Sequence, residues 1–182
     1  MDITLFTIGH STRAIDALLD VLAASRIEAL CDIRALPRSR RHPQFNQDAL
    51  EAALASRHIR YSWRGKALGG FRKPRPGSRH IALRNPAFRG FADFMEASTF
   101  DDALNEVLQA AGRERLAIMC AERDPAQCHR SLIADAALVR GARVIHLVDR
   151  GEQRAARLSG LARVDGVALV YDRGQPRLLD EG

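Results

Sequence analysis

Apolar positions along the chain fall into short runs separated by polar, turn-forming stretches, and two periods alternate. Residues 3–8 (Ile-Thr-Leu-Phe-Thr-Ile) form a compact β-branched run that stops at Gly9, the pattern of a buried strand. Ser11 is placed to cap a helix in which Ile15, Leu18, Leu19 and Leu22 recur at i, i+3, i+4 and i+7. Residues 29–33 predict a second strand, Asn46 a cap for a helix carrying Leu50 and Leu54, and residues 59–63 a third strand. Residues 64–86 hold Gly65, Gly69, Gly70, Gly77, Pro74, Pro76 and Pro86 and read as a long loop of the functional kind. Residues 86–111 are helical with an interruption near Ser98-Thr99. Leu116-Ala-Ile-Met-Cys120 is apolar throughout, as a central parallel strand is. Residues 124–140 predict a helix ended by Gly141, and residues 144–148 a further strand. Residues 167–179, with Asp172-Arg173-Gly174 between apolar runs, predict a terminal hairpin.

Strands alternating with helices give an α/β fold: one Rossmann-like three-layer domain with a mostly parallel sheet. Basic insertions follow the second and third strands, and a small hairpin ends the chain. Residues 1–150 form the α/β domain, and residues 151–182 a C-terminal extension packed on it. Ligands of such sheets bind outside the carboxyl ends of the strands. That rule singles out Gly9-His10-Ser11, the segments leaving Arg34 and Arg64, Cys120-Ala121-Glu122, and Asp149-Arg150.

Composition adds one strong point. The 182 residues suit a single domain, and no stretch reaches the ~18 apolar residues of a membrane helix, so no membrane partner is expected. The amino terminus lacks a secretory pattern, which makes the cytoplasm the expected location. Three Cys do not make a disulfide framework. The formal net charge of +6 conceals an asymmetry. Residues 34–89 hold 14 basic residues against Asp48 and Glu51, net +12, which leaves −6 on the remainder. Only Lys66 and Lys73 are lysines. A coding bias toward Arg would act everywhere and does not remove acids from one stretch. Arg forks grip phosphate bidentately, so a nucleic acid or nucleotide is the expected partner.

Four constellations carry candidate chemistry. In Cys120-Ala-Glu-Arg-Asp-Pro-Ala-Gln-Cys-His-Arg130, Asp124 is a good N-cap and Pro125 suits the first helical position. Cys128, His129 and Arg130 are then expected in the first turn and a half of a helix leaving the sheet. The dipole there favours an anion and lowers a thiol pKa. Cys120 or Cys128 is a candidate nucleophile with His129 as base, and Glu122 a candidate acid/base or nucleophile. The bland alternative makes both Cys small core residues and His129 a satisfied imidazole. Cys120, Cys128 and His129 lack the short spacing of a zinc knuckle, so no metal and no cofactor are assigned.

Arg34, Arg38, Arg40 and Arg41 cluster beside Ser39 and His42, stiffened by Pro37 and Pro43, in a segment suited to phosphate. Gly9-His10-Ser11 can bring backbone N–H groups to an anion. Tyr61 and Trp63 precede Lys66-Ala-Leu-Gly-Gly-Phe-Arg72, aromatics beside basic residues as base stacking requires.

Taken in order, Thr7-Ile-Gly-His-Ser-Thr-Arg13, Asp32-Ile-Arg34 with Pro37-Arg-Ser-Arg40 and Pro43-Gln-Phe45, Tyr61 with Leu68-Gly-Gly-Phe-Arg72, and Met119-Cys-Ala-Glu122 with Cys128-His-Arg130 closely resemble the domain-of-unknown-function 488 family, over roughly residues 3–150. The resemblance implies one Rossmann-like α/β domain in a bacterial or archaeal protein. Its signature positions are His10, Ser11, Asp32, Arg34, Arg38, Ser39, Arg40, Gly69, Gly70, Cys120, Glu122, Cys128, His129 and Arg130. It supplies no reaction.

The resulting expectation is an enzyme acting on a nucleic acid or nucleotide. Glu122, His129, Cys120, Cys128, Asp32 and His10 are its candidate catalytic residues. Ser11, Arg34, Arg38, Ser39, Arg40, Tyr61, Gly69, Gly70, Arg72 and Arg130 are expected to hold substrate or phosphate. Glycosidic-bond hydrolysis, with Asp32 as a second carboxylate to Glu122, is one such chemistry. The alternatives are a non-catalytic nucleic-acid or nucleotide-binding module, and a thiol-dependent enzyme acting on a small anionic metabolite.

Overall fold

Thr4–Gly9 (β1), Ala29–Asp32 (β2), Arg60–Trp63 (β3), Leu116–Cys120 (β4) and Arg143–Asp149 (β5) are parallel neighbours in the order β3-β2-β4-β1-β5. The computed structural model describes residues 3–173. Glu152–Ala155 (β6) pairs antiparallel with β5 at one edge, so residues beyond 150 complete the main sheet. β6 is exposed along its length and has no apolar alternation to announce it.

Both faces are covered, which is why β1 and β4 are apolar on both sides. Helices Ile15–Ala24 (α1) and Gln47–Ala55 (α2) pack with Phe6, Ile8, Leu30, Met119 and Leu147. On the other face are the short helix Gly65–Leu68 (α3) and helices Pro86–Phe94 (α4), Ser98–Ala111 (α5) and Arg130–Val139 (α6). These cover Leu5, Cys31, Ile118, Cys120 and Val144. From β1 the chain crosses through α1 to β2, passing over β4; from β4 it crosses through α6 to β5, passing over β1. The two crossovers diverge at adjacent strands, the topological switch point where open α/β sheets bind ligands.

Local chemistry departs from expectation in four places. Residues 124–140 are not one helix. Asp124 caps a 3-10 turn at Pro125–Gln127 by accepting from Ala126 N at 3.0 Å. Cys128 is then extended (φ −132°, ψ 143°), and α6 starts only at Arg130 with His129 as its N-cap residue. Ser11 does not cap α1, whose N-cap is Ala14; it turns the chain in the left-handed region at φ 54°. Asn46 sits at the N-cap of α2, but its Oδ1 accepts from Ser39 N at 2.7 Å and clamps the basic loop. The C-terminal hairpin is Ala162–Asp165 (β7) with Ala168–Tyr171 (β8), turning at Gly166 with φ 62°. Asp165-Gly166 is itself a hairpin signal. The expected turn at Asp172-Arg173-Gly174 runs into positions 174–179, outside the described residues. No helix among the described residues is long and apolar enough to cross a membrane.

Candidate active site at the strand ends

A cleft of about 670 Å³ opens over the carboxyl ends of β1, β2 and β4. Its first wall follows β1. His10 N donates to Cys120 O (3.0 Å) and Ser11 N to Ala121 O (2.8 Å), continuing the strand pairing past Gly9. Only glycine fits at position 9, since a Cβ there would lie 1.7 Å from Glu122 O and 2.7 Å from Arg130 Nη1. The His10 ring stacks on Phe45 at 4.2 Å. Its Nδ1 is 2.8 Å from Ser11 O and its Nε2 3.3 Å from Arg34 Nη1. One tautomer satisfies both: Nδ1–H donates to the carbonyl and Nε2 accepts from the guanidinium. Burial, aided by the Arg34 charge, lowers the His10 pKa to about 4, so this ring is neutral.

The second wall follows β2. Asp32 is fully buried, and its carboxylate accepts from Arg34 N (3.0 Å), Nε (2.9 Å) and Nη2 (2.6 Å). Tyr61 OH donates to it at 2.9 Å. Asp32 and Tyr61 lie outside the cleft lining and hold Arg34, whose Nη2 also donates to Phe45 O at 2.8 Å. Burial, reinforced by the Asp32 carboxylate, pushes the Tyr61 phenol above its ordinary range.

Beyond Arg34 the basic loop is ordered by its own polar groups. Ser39 N donates to Asn46, and His42 N donates to Ser39 Oγ at 2.9 Å. Arg38, Arg41 and His42 line the cleft, and neither Arg38 nor Arg41 has a carboxylate partner among the described residues; Arg40 is exposed away from it. Arg72 is committed elsewhere: it donates to Gly69 O (3.3 Å) and Lys66 O (2.6 Å) and lies over Phe94 at 3.7 Å. Gly69 is buried against Ala35, outside the lining, whereas Gly70 lines the cleft flush on His129.

The third wall follows β4. The Glu122 side chain is exposed at the cleft, with no hydrogen bond or ion pair to a described residue. Its backbone carbonyl accepts from the buried Arg130. His129 Nε2 donates to Leu68 O at 2.8 Å, which aims Nδ1 at Cys128 Sγ, 3.6 Å away. Burial lowers the His129 pKa to about 4, so this ring too is neutral. The described residues place no group of three His, Cys, Asp or Glu side chains to hold a metal ion.

A family model described as Domain of unknown function DUF488 matches residues 14–137. The chain belongs to this family. No curated protein and no solved structure matches it. The match begins after His10 and Ser11 and ends within α6, so it is shorter than the span of the motifs. In this family member the cleft gathers His10, Ser11, Arg34, Arg38, Ser39, Gly70, Cys120, Glu122, Cys128 and His129. Asp32, Arg40, Tyr61, Gly69, Arg72 and Arg130 are not in its lining.

Sequence reasoning missed Leu36 and Phe71, which are 68% and 79% exposed on the cleft rim. A signal existed for each: an apolar residue inside a turn-rich basic segment. The Phe45 platform under His10 carried none, because a Phe in a stacking role reads like any core Phe.

Proposed function

We propose that this cleft is the active site of an enzyme acting on a nucleic acid or nucleotide. One observation carries the reading. Arg38, Arg41 and His42 face the same cleft as Glu122, a carboxylate unpaired among the described residues, with apolar Leu36 and Phe71 at its rim. Arg38 and Arg41 hold phosphate, because each is free of carboxylates among the described residues and presents a planar fork of donors. Phe71 offers a face on which a base stacks. Ser11 N is already used by Ala121 O, so its hydroxyl is the group left for the substrate.

Glu122 is the acid/base or nucleophile. The neutral His10, bonded through both nitrogens, orients the Arg34 guanidinium and does not compete for the proton. Asp32 is saturated by Arg34 and Tyr61, which leaves a two-carboxylate hydrolysis without its second member. Glu122 therefore acts alone on the reacting bond or activates one water. The three unpaired thiols suit a cytoplasmic setting.

Binding of labelled DNA, RNA and mononucleotides against salt concentration tests the ligand class. The expected result is affinity that falls steeply as salt rises. A flat response overturns a phosphate-bearing substrate. Glu122→Gln tests the chemistry: it is expected to keep binding and lose turnover of any substrate found by screening. Equal turnover in the variant removes Glu122 from the reaction, and binding with no turnover in the parent makes the cleft a binding module.

A further inference from the structure

Arg130 is 1% exposed and has no carboxylate within ion-pairing distance among the described residues. Its Nη1 donates to Glu122 O and its Nη2 to Arg123 O (2.7 Å), both neutral carbonyls, and its Nε has no acceptor. Its remaining partner is Cys120 Sγ, 2.6 Å from Nη1. The Arg13 charge lies within electrostatic reach of it and adds to the deficit. A buried guanidinium left uncompensated is costly. Cys120 is the one group touching it that can become an anion.

The second thiol fits this role. Cys128 lies within hydrogen-bonding reach of the Cys120 sulfur, and His129 Nδ1 stands 3.6 Å from the Cys128 sulfur. Arg130 N also donates to Cys128 Sγ, at 3.5 Å. Both residues, though buried, are part of the cleft lining.

We propose that Cys120 is a stored thiolate, the counter-ion of Arg130, and that it forms with Cys128 a redox couple on the cleft floor that small hydroperoxides oxidise to a disulfide. This goes beyond the nucleotide reading and does not depend on it. The Cys120 thiolate attacks the terminal oxygen of the hydroperoxide. The O–O bond breaks, Cys120 becomes a sulfenic acid, and the alkoxide leaves with the Cys128 proton as the alcohol. The Cys128 thiolate then attacks the sulfenic sulfur, forming the S–S bond and expelling hydroxide. The peroxide gains the two electrons that the two sulfurs lose.

The surroundings agree. Burial opposes ionisation of Cys120, but the Cys128 donor and the Arg130 charge outweigh it and hold this thiol below its ordinary range. Cys128 is driven upward, first by its bond to Cys120 and then by burial. Cys31 is pushed up to about 12 by burial, which outweighs Ser62 and the Arg64 charge, and serves as an internal control.

Two measurements on the whole protein test this. Thiolate absorbance near 240 nm is followed against pH in the native protein and in Cys120→Ser. The expected result is a titration complete by about pH 7 that the variant lacks; a midpoint near 8.5 or above, or the same curve in both, overturns the stored thiolate. Because Cys120→Ser alters a buried site, iodoacetamide labelling of the unaltered protein gives an independent check. Cys120 is expected to label at least tenfold faster than Cys31 at pH 6.5, roughly, as thiolate fraction dictates. Equal or slower labelling overturns it. After hydrogen peroxide, thiol counting under denaturing conditions and peptide mapping are expected to find only Cys31 free and Cys120 linked to Cys128. In Cys128→Ser the product is expected to stop at a sulfenic acid trapped by dimedone. A full complement of free thiols, or a disulfide that includes Cys31, overturns the couple.

Discussion

Two arginines lie buried at the carboxyl end of one sheet, and they are neutralised in opposite ways. Arg34, beside β2, is gripped by the Asp32 carboxylate at 2.6 Å. Arg130, docked at the end of β4, touches two carbonyls and a thiol and, among the described residues, no carboxylate. The difference teaches how to read charge in this chain. Arg34 is a finished ion pair that exposes one edge toward His10. Arg130 is an unfinished one, and its shortfall activates a neighbour. Neither guanidinium is free to grip phosphate; in the proposed reading that role falls to Arg38 and Arg41, which line the cleft with no carboxylate partner among the described residues.

The Arg130 corner is expected to break most completely at Gly9. A Cβ there would sit 1.7 Å from the Glu122 carbonyl that holds Arg130, and a backbone atom cannot swing aside. Gly9→Ala is expected to cost more than about 4 kcal/mol, in the range where a small domain fails to fold. Denaturant unfolding or soluble yield measures it, and a loss below about 1 kcal/mol would mean that β1 and β4 separate freely at their ends. The Arg34 side breaks next. Asp32→Asn leaves a buried guanidinium without its counter-charge, at an expected cost of about 3–5 kcal/mol in the same measurement. If that variant is as stable as the parent, Arg34 is neutralised by Phe45 O and water, and the contrast between the two arginines disappears.

Acid probes both walls at once. Burial holds His10, His129 and His146 to about 4, whereas an imidazole in an unfolded chain titrates near 6.5. Between those values the unfolded chain binds protons that the fold refuses. Stability is therefore intact above about pH 6.5 and falls as the pH drops toward 4. Asp135 opposes this: burial lifts its carboxyl to about 6, so across pH 4–6 the fold keeps a proton that the unfolded chain releases. Three imidazoles outnumber one carboxyl, and the unfolding free energy is expected to decline between pH 6.5 and 4. His146→Gln is expected to reduce the proton uptake on unfolding near pH 5 by about one. Stability that stays level from pH 7 to 4.5 would mean the imidazoles are charged in the fold.

Element types were legible where burial is two-sided and the chain is apolar throughout, as in β1 and β4. The start of α4 at Pro86 and the N-cap position of Asn46 were legible too, but the capping bonds were not, because a polar side chain can be spent in more than one way. Asn46 looks like a cap and acts as a clamp on Ser39, and the helix expected from Asp124 pauses at Cys128. The strand-end rule gathered His10, Arg34, Glu122 and the two thiols correctly into one place. It could not separate residues that face the cleft from those that hold them. Asp32, Arg72 and Arg130 carry the same groups as lining residues, and their placement outside the lining, like that of Tyr61, shows only in the folded geometry and its hydrogen bonds.

The smallest expected effect on stability separates stacking from charge. Phe71 is 79% exposed, so Phe71→Ala is expected to change stability by no more than about 0.5 kcal/mol. If a base stacks on it, affinity for a nucleotide-bearing ligand falls by about 1–3 kcal/mol, roughly 5–150-fold. The salt dependence of binding stays that of the parent, because no phosphate contact is lost. Arg38→Ala is its counterpart: affinity falls and the salt slope shrinks by about 1. The two variants, titrated side by side at several salt concentrations, assign the rim and the loop to base and phosphate. A Phe71→Ala variant that lost affinity together with salt slope would make Phe71 a prop for the arginines and leave the base without a platform.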